Sequence, residues 1–136
     1  LFADSPAMTQ ENKSAGIFRL NRQDLTALLS AAKELGQAVY QVDLSQARNV
    51  PGFIKAMKRD LMFPDWFGGN LDALNDCLTD FSWNPAPGYV IVLSGSEALR
   101  ATPTSLAALN EVLSCAVEAW SDRGIPFRIF YLQDAS

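Results

Sequence analysis

Apolar positions recur along this chain with two different periods, and the switches between them mark out strands and helices. Residues 16–20 (Gly-Ile-Phe-Arg-Leu) read as a short strand. Asn21 then caps a helix whose Leu25, Leu28, Leu29 and Ala32 share one face before Gly36 stops it. Residues 38–44 alternate as a half-buried strand does. Pro51 opens a second helix, in which Ile54, Met57 and Leu61 recur on one side and Lys55, Lys58 and Arg59 are left for solvent, until Phe63-Pro64 ends it. After a Gly68-Gly69 turn, Asn70 is a good N-cap for a third helix. Its buried stripe is expected to be Leu71, Leu74, Leu78 and Phe81, with Asp72, Asn75, Asp76 and Thr79 facing the other way.

The loop 84–88 (Asn-Pro-Ala-Pro-Gly) precedes residues 89–93, a continuous apolar run of the kind a strand covered on both faces requires, and therefore the expected central strand. Thr102-Pro103 starts a fourth helix with Leu106, Leu109, Leu113, Ala116 or Val117, and Trp120 inward, ended by Gly124; residues 127–132 make the last strand. Strands separated by helices imply right-handed crossovers, hence a small parallel α/β sheet. One domain over residues 16–136 is expected. Residues 1–15, small and polar without a period, are expected to be a disordered tail, with residues 1–7, which precede Met8, an expression remnant.

Composition adds limits. With 136 residues, 49% hydrophobic and 19% charged, the chain is long and apolar enough to build a core without disulfides or metal. A net charge of −4 argues against nucleic-acid binding, which needs clustered Lys and Arg. No apolar run approaches the roughly 18 residues of a membrane span, and the start lacks a signal-peptide pattern, so a cytoplasmic location is the default. Cys77 and Cys115 are expected to be free, buried thiols in a reducing compartment. The absence of histidine excludes histidine-based catalysis and leaves two cysteines unable to complete a zinc site.

The charge is unevenly placed. Between Arg59 and Arg100 there is no Lys or Arg, while Asp60, Asp65, Asp72, Asp76, Asp80 and Glu97 give the stretch −6. Asp72 and Asp76 are four apart, one helical turn above each other, a spacing at which like charges destabilise a helix by roughly 0.2–0.5 kcal/mol. An anion in the first turn, as Asp72 is, gains about 0.3–1 kcal/mol from the macrodipole. This much is compatible with a merely solvated face. Ordinary surfaces mix both signs, however, and an uncompensated negative patch steers basic partners. Trp66 beside it has the character of an interface anchor, Phe67 that of core packing, and Gly68 and Gly69 that of turn residues with positive φ. A phosphate loop would need a Gly-Lys-Ser/Thr ending, which is absent. Glycosidase carboxylates must face each other across a cleft, whereas two residues one turn apart project the same way; as a Mg²⁺ site the pair lacks an evident third ligand. No catalytic residue, metal or cofactor is therefore expected.

Residues 64–79 (Pro-Asp-Trp-Phe-Gly-Gly-Asn-Leu-Asp-Ala-Leu-Asn-Asp-Cys-Leu-Thr) resemble the signature of the barstar family, intracellular inhibitors of secreted microbial ribonucleases. In that family a proline, an acid, two aromatics and a glycine precede Asn-Leu-Asp-Ala-Leu, followed by Asp-Cys-Leu-Thr. The element order from about residue 38 to 132 fits too. The resemblance implies a three-stranded parallel sheet in the order 1-2-3 packed with helices, to which residues 16–37 add a strand-helix extension. It also implies inhibition by occlusion, in a one-to-one complex, of a basic ribonuclease active site, carboxylates standing where substrate phosphates would sit. By motif position Asp76 would be the principal anion in the enzyme's phosphate pocket and Asp72 its partner. Trp66 would be the first interface aromatic, beside Gly68; Asn70 caps the helix near the rim; Asn75 and Thr79 lie on the contact face, and Glu118 is a looser second acidic contact. Asn75 stands where the best-known members have tryptophan, Gly69 replaces an acid, and Asp80-Phe81 replaces glycine and tryptophan. These changes lie on or beside the partner face, so two targets stay open: a ribonuclease, or a non-nuclease basic protein that the domain regulates.

Overall fold

The computed structural model describes residues 15–64 and 68–133. The chain runs β1 (Ala15–Asn21), a 3-10 turn (Arg22–Asp24), α1 (Leu25–Glu34), β2 (Ala38–Asp43), α2 (Val50–Asp60), α3 (Leu71–Leu78), β3 (Tyr89–Ser94), α4 (Glu97–Arg100), α5 (Pro103–Asp122) and β4 (Phe127–Gln133). The expected tail, apart from Ala15, which already belongs to β1, lies outside the described residues, as do Asp65, Trp66 and Phe67.

The sheet corrects the expectation of three strands in the order 1-2-3. Four parallel strands form one sheet in the order β1-β4-β3-β2. β1 is part of it, in register with β4 from Ala15 opposite Phe127 to Asn21 opposite Gln133. The reason lies in α1. Its route from β1 at one edge to β2 at the other carries it across the sheet, where Ala32 is buried in one core with Leu20, Val90, Val92, Phe130 and Leu132, and Leu25, Leu28 and Leu29 pack against it. The N-terminal extension thus covers a face that would otherwise leave β4 and β3 with bare apolar side chains.

On the opposite face α2, α3 and α5 enclose the larger core, into which β3 sends Tyr89, Ile91 and Leu93. β3 is flanked by β2 and β4 and buried from both sides, which is why its sequence is apolar without alternation.

Local chemistry differs from expectation at several ends. Asn21 makes no capping hydrogen bond and leads into the 3-10 turn, whereas Asn49 caps α2, its side chain accepting from the Gly52 amide at 2.9 Å. α3 ends at Leu78, so Phe81 is not part of its stripe. Phe81 sits beyond a turn, in a left-handed backbone conformation (φ 50°), with its side chain fully buried. α4 had no visible period in the sequence, being one turn long.

Candidate functional site

The acidic helix α3 is held at both ends. At its start the Asn70 side chain, on an extended backbone, accepts from the Ala73 amide at 2.7 Å. Gly69 supplies the left-handed turn before it (φ 77°). At its end the Thr79 hydroxyl donates to the carbonyls of Asn75 (2.9 Å) and Asp76 (3.2 Å), satisfying groups the helix leaves open. Trp120 of α5 donates its indole N–H to the Leu78 carbonyl at 2.7 Å. Below the helix, Phe81 packs among Tyr40, Trp83, Tyr89, Trp120 and Phe127, with ring centroids 4.7–6.3 Å away. Leu74, Cys77 and Leu78 are buried, which fixes the helix about its own axis.

That rotation leaves Asp72 and Asp76 exposed, and among the described residues neither carboxylate has a hydrogen-bond or ion-pair partner. The field of the two later aspartates is felt inside: the Cys77 thiol is pushed up to about 11, first by burial and then by the charges of Asp80 and Asp76. Asn75 is half-buried, and its Oδ1 is shielded from solvent without a hydrogen-bond partner. Thr79, half-buried, spends its proton on the helix carbonyls and offers a partner only its oxygen lone pairs.

Other expected participants are placed differently. Glu118 is exposed on α5 and lines a shallow depression of about 650 Å³ together with Ala15 and Ile17 of β1; no residue of α3 lines it. Trp66 lies outside the described residues. Asp60 is not an uncompensated charge, since its carboxylate is bonded to Arg59 (2.7 and 2.8 Å) and accepts the Asp43 amide, which holds its pKa below the usual carboxylate range. A sequential Arg-Asp pair gave no helical-spacing signal, so the sequence count overstated the negative run by one. Cys115 is exposed rather than buried; both cysteines are free. Among the described residues no cluster of three or more acidic or cysteine ligands could hold a metal ion, and no helix is long and apolar enough to cross a membrane.

A capped, rigidly seated helix with an outward pair of uncompensated carboxylates can bind a cationic surface, and its family is known. Residues 37–132 match the model of Barstar (barnase inhibitor). The chain belongs to the barstar family. The match begins at Gln37, just after α1, and takes in α3, α5 and strands β2–β4, so β1 and α1 lie outside it. No curated protein matches the chain. Among solved structures the chain is similar in fold to the ORC2 protein of Aeropyrum pernix, determined as ADPNP-ADP complexes, with a TM-score of 0.57 and 18% identity over 87% of this chain. The chain spans 34% of that protein's length, and the likeness shows the fold alone.

Proposed function

We propose that this barstar-family protein inhibits a ribonuclease by laying α3 and the turn before it into the enzyme's basic active site. The observation that carries the reading is the pair Asp72 and Asp76: exposed, one turn apart, unpaired among the described residues, and on a helix fixed at both ends. A ribonuclease cleft holds phosphates with cations, and carboxylates presented without a cleavable bond offer the same charge-assisted contacts. Because the helix is already ordered, little conformational freedom is lost on docking. Asp76 would be the main anion and Asp72 its companion, with Gly68, Asn70, Asn75, Thr79 and Trp66 around them. Glu118 would touch only a partner broad enough to reach the outer face of α5. No catalysis by the chain itself is proposed. Two free cysteines suit a reducing compartment, and the cytoplasm is the proposed location.

A second reading is a regulatory domain for a basic protein that is not a nuclease. Asn75 favours it, because a half-buried amide replaces the broad aromatic contact expected of the family at that position. Titration of the purified chain into barnase and related microbial ribonucleases, read by cleavage of a fluorogenic oligonucleotide, separates the two. One-to-one inhibition supports the first; full activity of every enzyme at micromolar chain supports the second.

A further inference from the structure

Three helices of this fold end in the same way: the amide of Gln37 returns to the Ala32 carbonyl, that of Ile125 to Trp120, and that of Phe63 to Lys58, each five residues back. This closure requires a left-handed residue just before the returning amide. At α1 and α5 that residue is glycine, Gly36 and Gly124, which adopts positive φ without steric cost. At α2 it is Met62, with φ 57°. Its side chain is 73% exposed and joins neither hydrophobic core. The other left-handed non-glycine among the described residues, Phe81, is compensated by complete burial among five aromatic rings. The other large exposed apolar side chain among the described residues, Leu35, sits in an unstrained conformation. Among the described residues Met62 alone combines strain with exposure, so folding does not account for its side chain.

Its position in the fold supplies an account. The next residue, Phe63, packs edge-on against Trp83 at 5.7 Å, and Phe81, just past the end of α3, lies 5.2 Å from the same indole. The segment that carries Met62 and the C-terminal end of the acidic helix therefore meet at one ring. Resting on the function proposed above, we infer that Met62 is an apolar contact of the inhibitory surface, which meets an apolar patch on the rim of the partner's basic cleft. An unbranched thioether adapts its shape to such a patch, and apolar contact beside a charged region is ordinary interface anatomy.

The test measures melting temperature and ribonuclease affinity together, for the unaltered chain, Met62→Gly, Met62→Leu and Asp76→Ala, with immobilised barnase and related microbial ribonucleases as probes. Met62→Gly is expected to melt higher, because strain is relieved, while binding roughly 5-fold or more weakly; a side chain that served the fold would lower both. Met62→Leu is expected to keep the affinity. A Met62→Gly chain that melts lower, or that binds as the unaltered chain does while Asp76→Ala is weakened, would overturn this contact and leave the proposed function standing. An unaltered chain that binds none of the enzymes would remove the function and this contact with it.

Discussion

Trp120 and Leu78 are joined by a 2.7 Å hydrogen bond from the indole N–H to a main-chain carbonyl, and this bond fastens the last turn of the acidic helix to the long helix α5. Trp120 is nearly inaccessible and stacks on Phe127 at 5.7 Å, so the bond is made inside the core, where no water can replace it. The Arg123 guanidinium lies over the same indole, 4.5 Å from the ring centroid.

Trp120→Phe should therefore cost more than its loss of ring area. The Leu78 carbonyl would be left buried without a donor, a penalty of about 1–3 kcal/mol. Urea denaturation of the two proteins checks it. Stability within a few tenths of a kcal/mol of the unaltered chain would mean that α3 is not held from this side.

How much of this was legible in the sequence depended on whether the signal was local. The capping of α3 by Asn70, the buried Leu74 and Leu78 and the outward Asp72 and Asp76 follow from helical spacing alone, because one apolar stripe on a short helix decides which way every other residue points. Phe81 continued that stripe arithmetically, yet the chain turns at Thr79; a left-handed turn is announced in sequence by glycine, and here the position is held by a phenylalanine whose burial outweighs its strain. The place of β1 was decided by what α1 has to cover, a tertiary matter that no period in residues 16–20 encodes. Glu118 entered through the family resemblance as a looser second acidic contact, and its place on α5, beside Ala15 and Ile17 of β1 in a depression that no α3 residue lines, is a tertiary matter that no spacing in the sequence encodes.

Asp76→Ala should separate binding from folding. The side chain is exposed and makes no contact that the fold uses, so the melting curve should barely change. In the proposed complex its loss leaves cations of the enzyme buried without a partner, and affinity should fall roughly 100-fold or more. Competitive inhibition assays with Asp72→Ala and Asp76→Ala side by side provide the check, with the larger loss expected for Asp76. A comparable drop in stability and affinity would assign Asp76 to the fold instead.

Alkaline pH should weaken the fold through Cys77. An ordinary cysteine titrates near 9.0, and burial with the nearby Asp80 and Asp76 charges pushes this one up to about 11. The folded value is the higher one, so the stabilisation is complete below 9 and is lost as pH rises toward 11, where only the unfolded chain ionises readily; the amount is on the order of 2 kcal/mol. Tyr89 and Tyr131 are raised as well, so the measurement is a difference: stability between pH 8 and 11 should fall less steeply in Cys77→Ala than in the unaltered chain. An aromatic disulfide reagent should label Cys115 at once and Cys77 only on unfolding. Equal pH slopes would place Cys77 in contact with solvent.

Association with the proposed ribonuclease should slow as salt rises, since two unpaired carboxylates at the surface act on a basic partner from a distance that counterions shorten. Stopped-flow mixing at several ionic strengths gives the slope of log kon against salt, and the variant Asp72→Asn with Asp76→Asn should flatten it while leaving the helix cap from Asn70 intact. The amides keep the shape of the carboxylates, so a change in slope reports charge alone. Glu118→Gln serves as the contrasting case: lying with Ala15 and Ile17 and apart from α3, it should change the slope less than either aspartate does. A slope that Glu118→Gln flattens and the aspartate pair leaves unchanged would move the partner's approach from α3 to the outer face of α5.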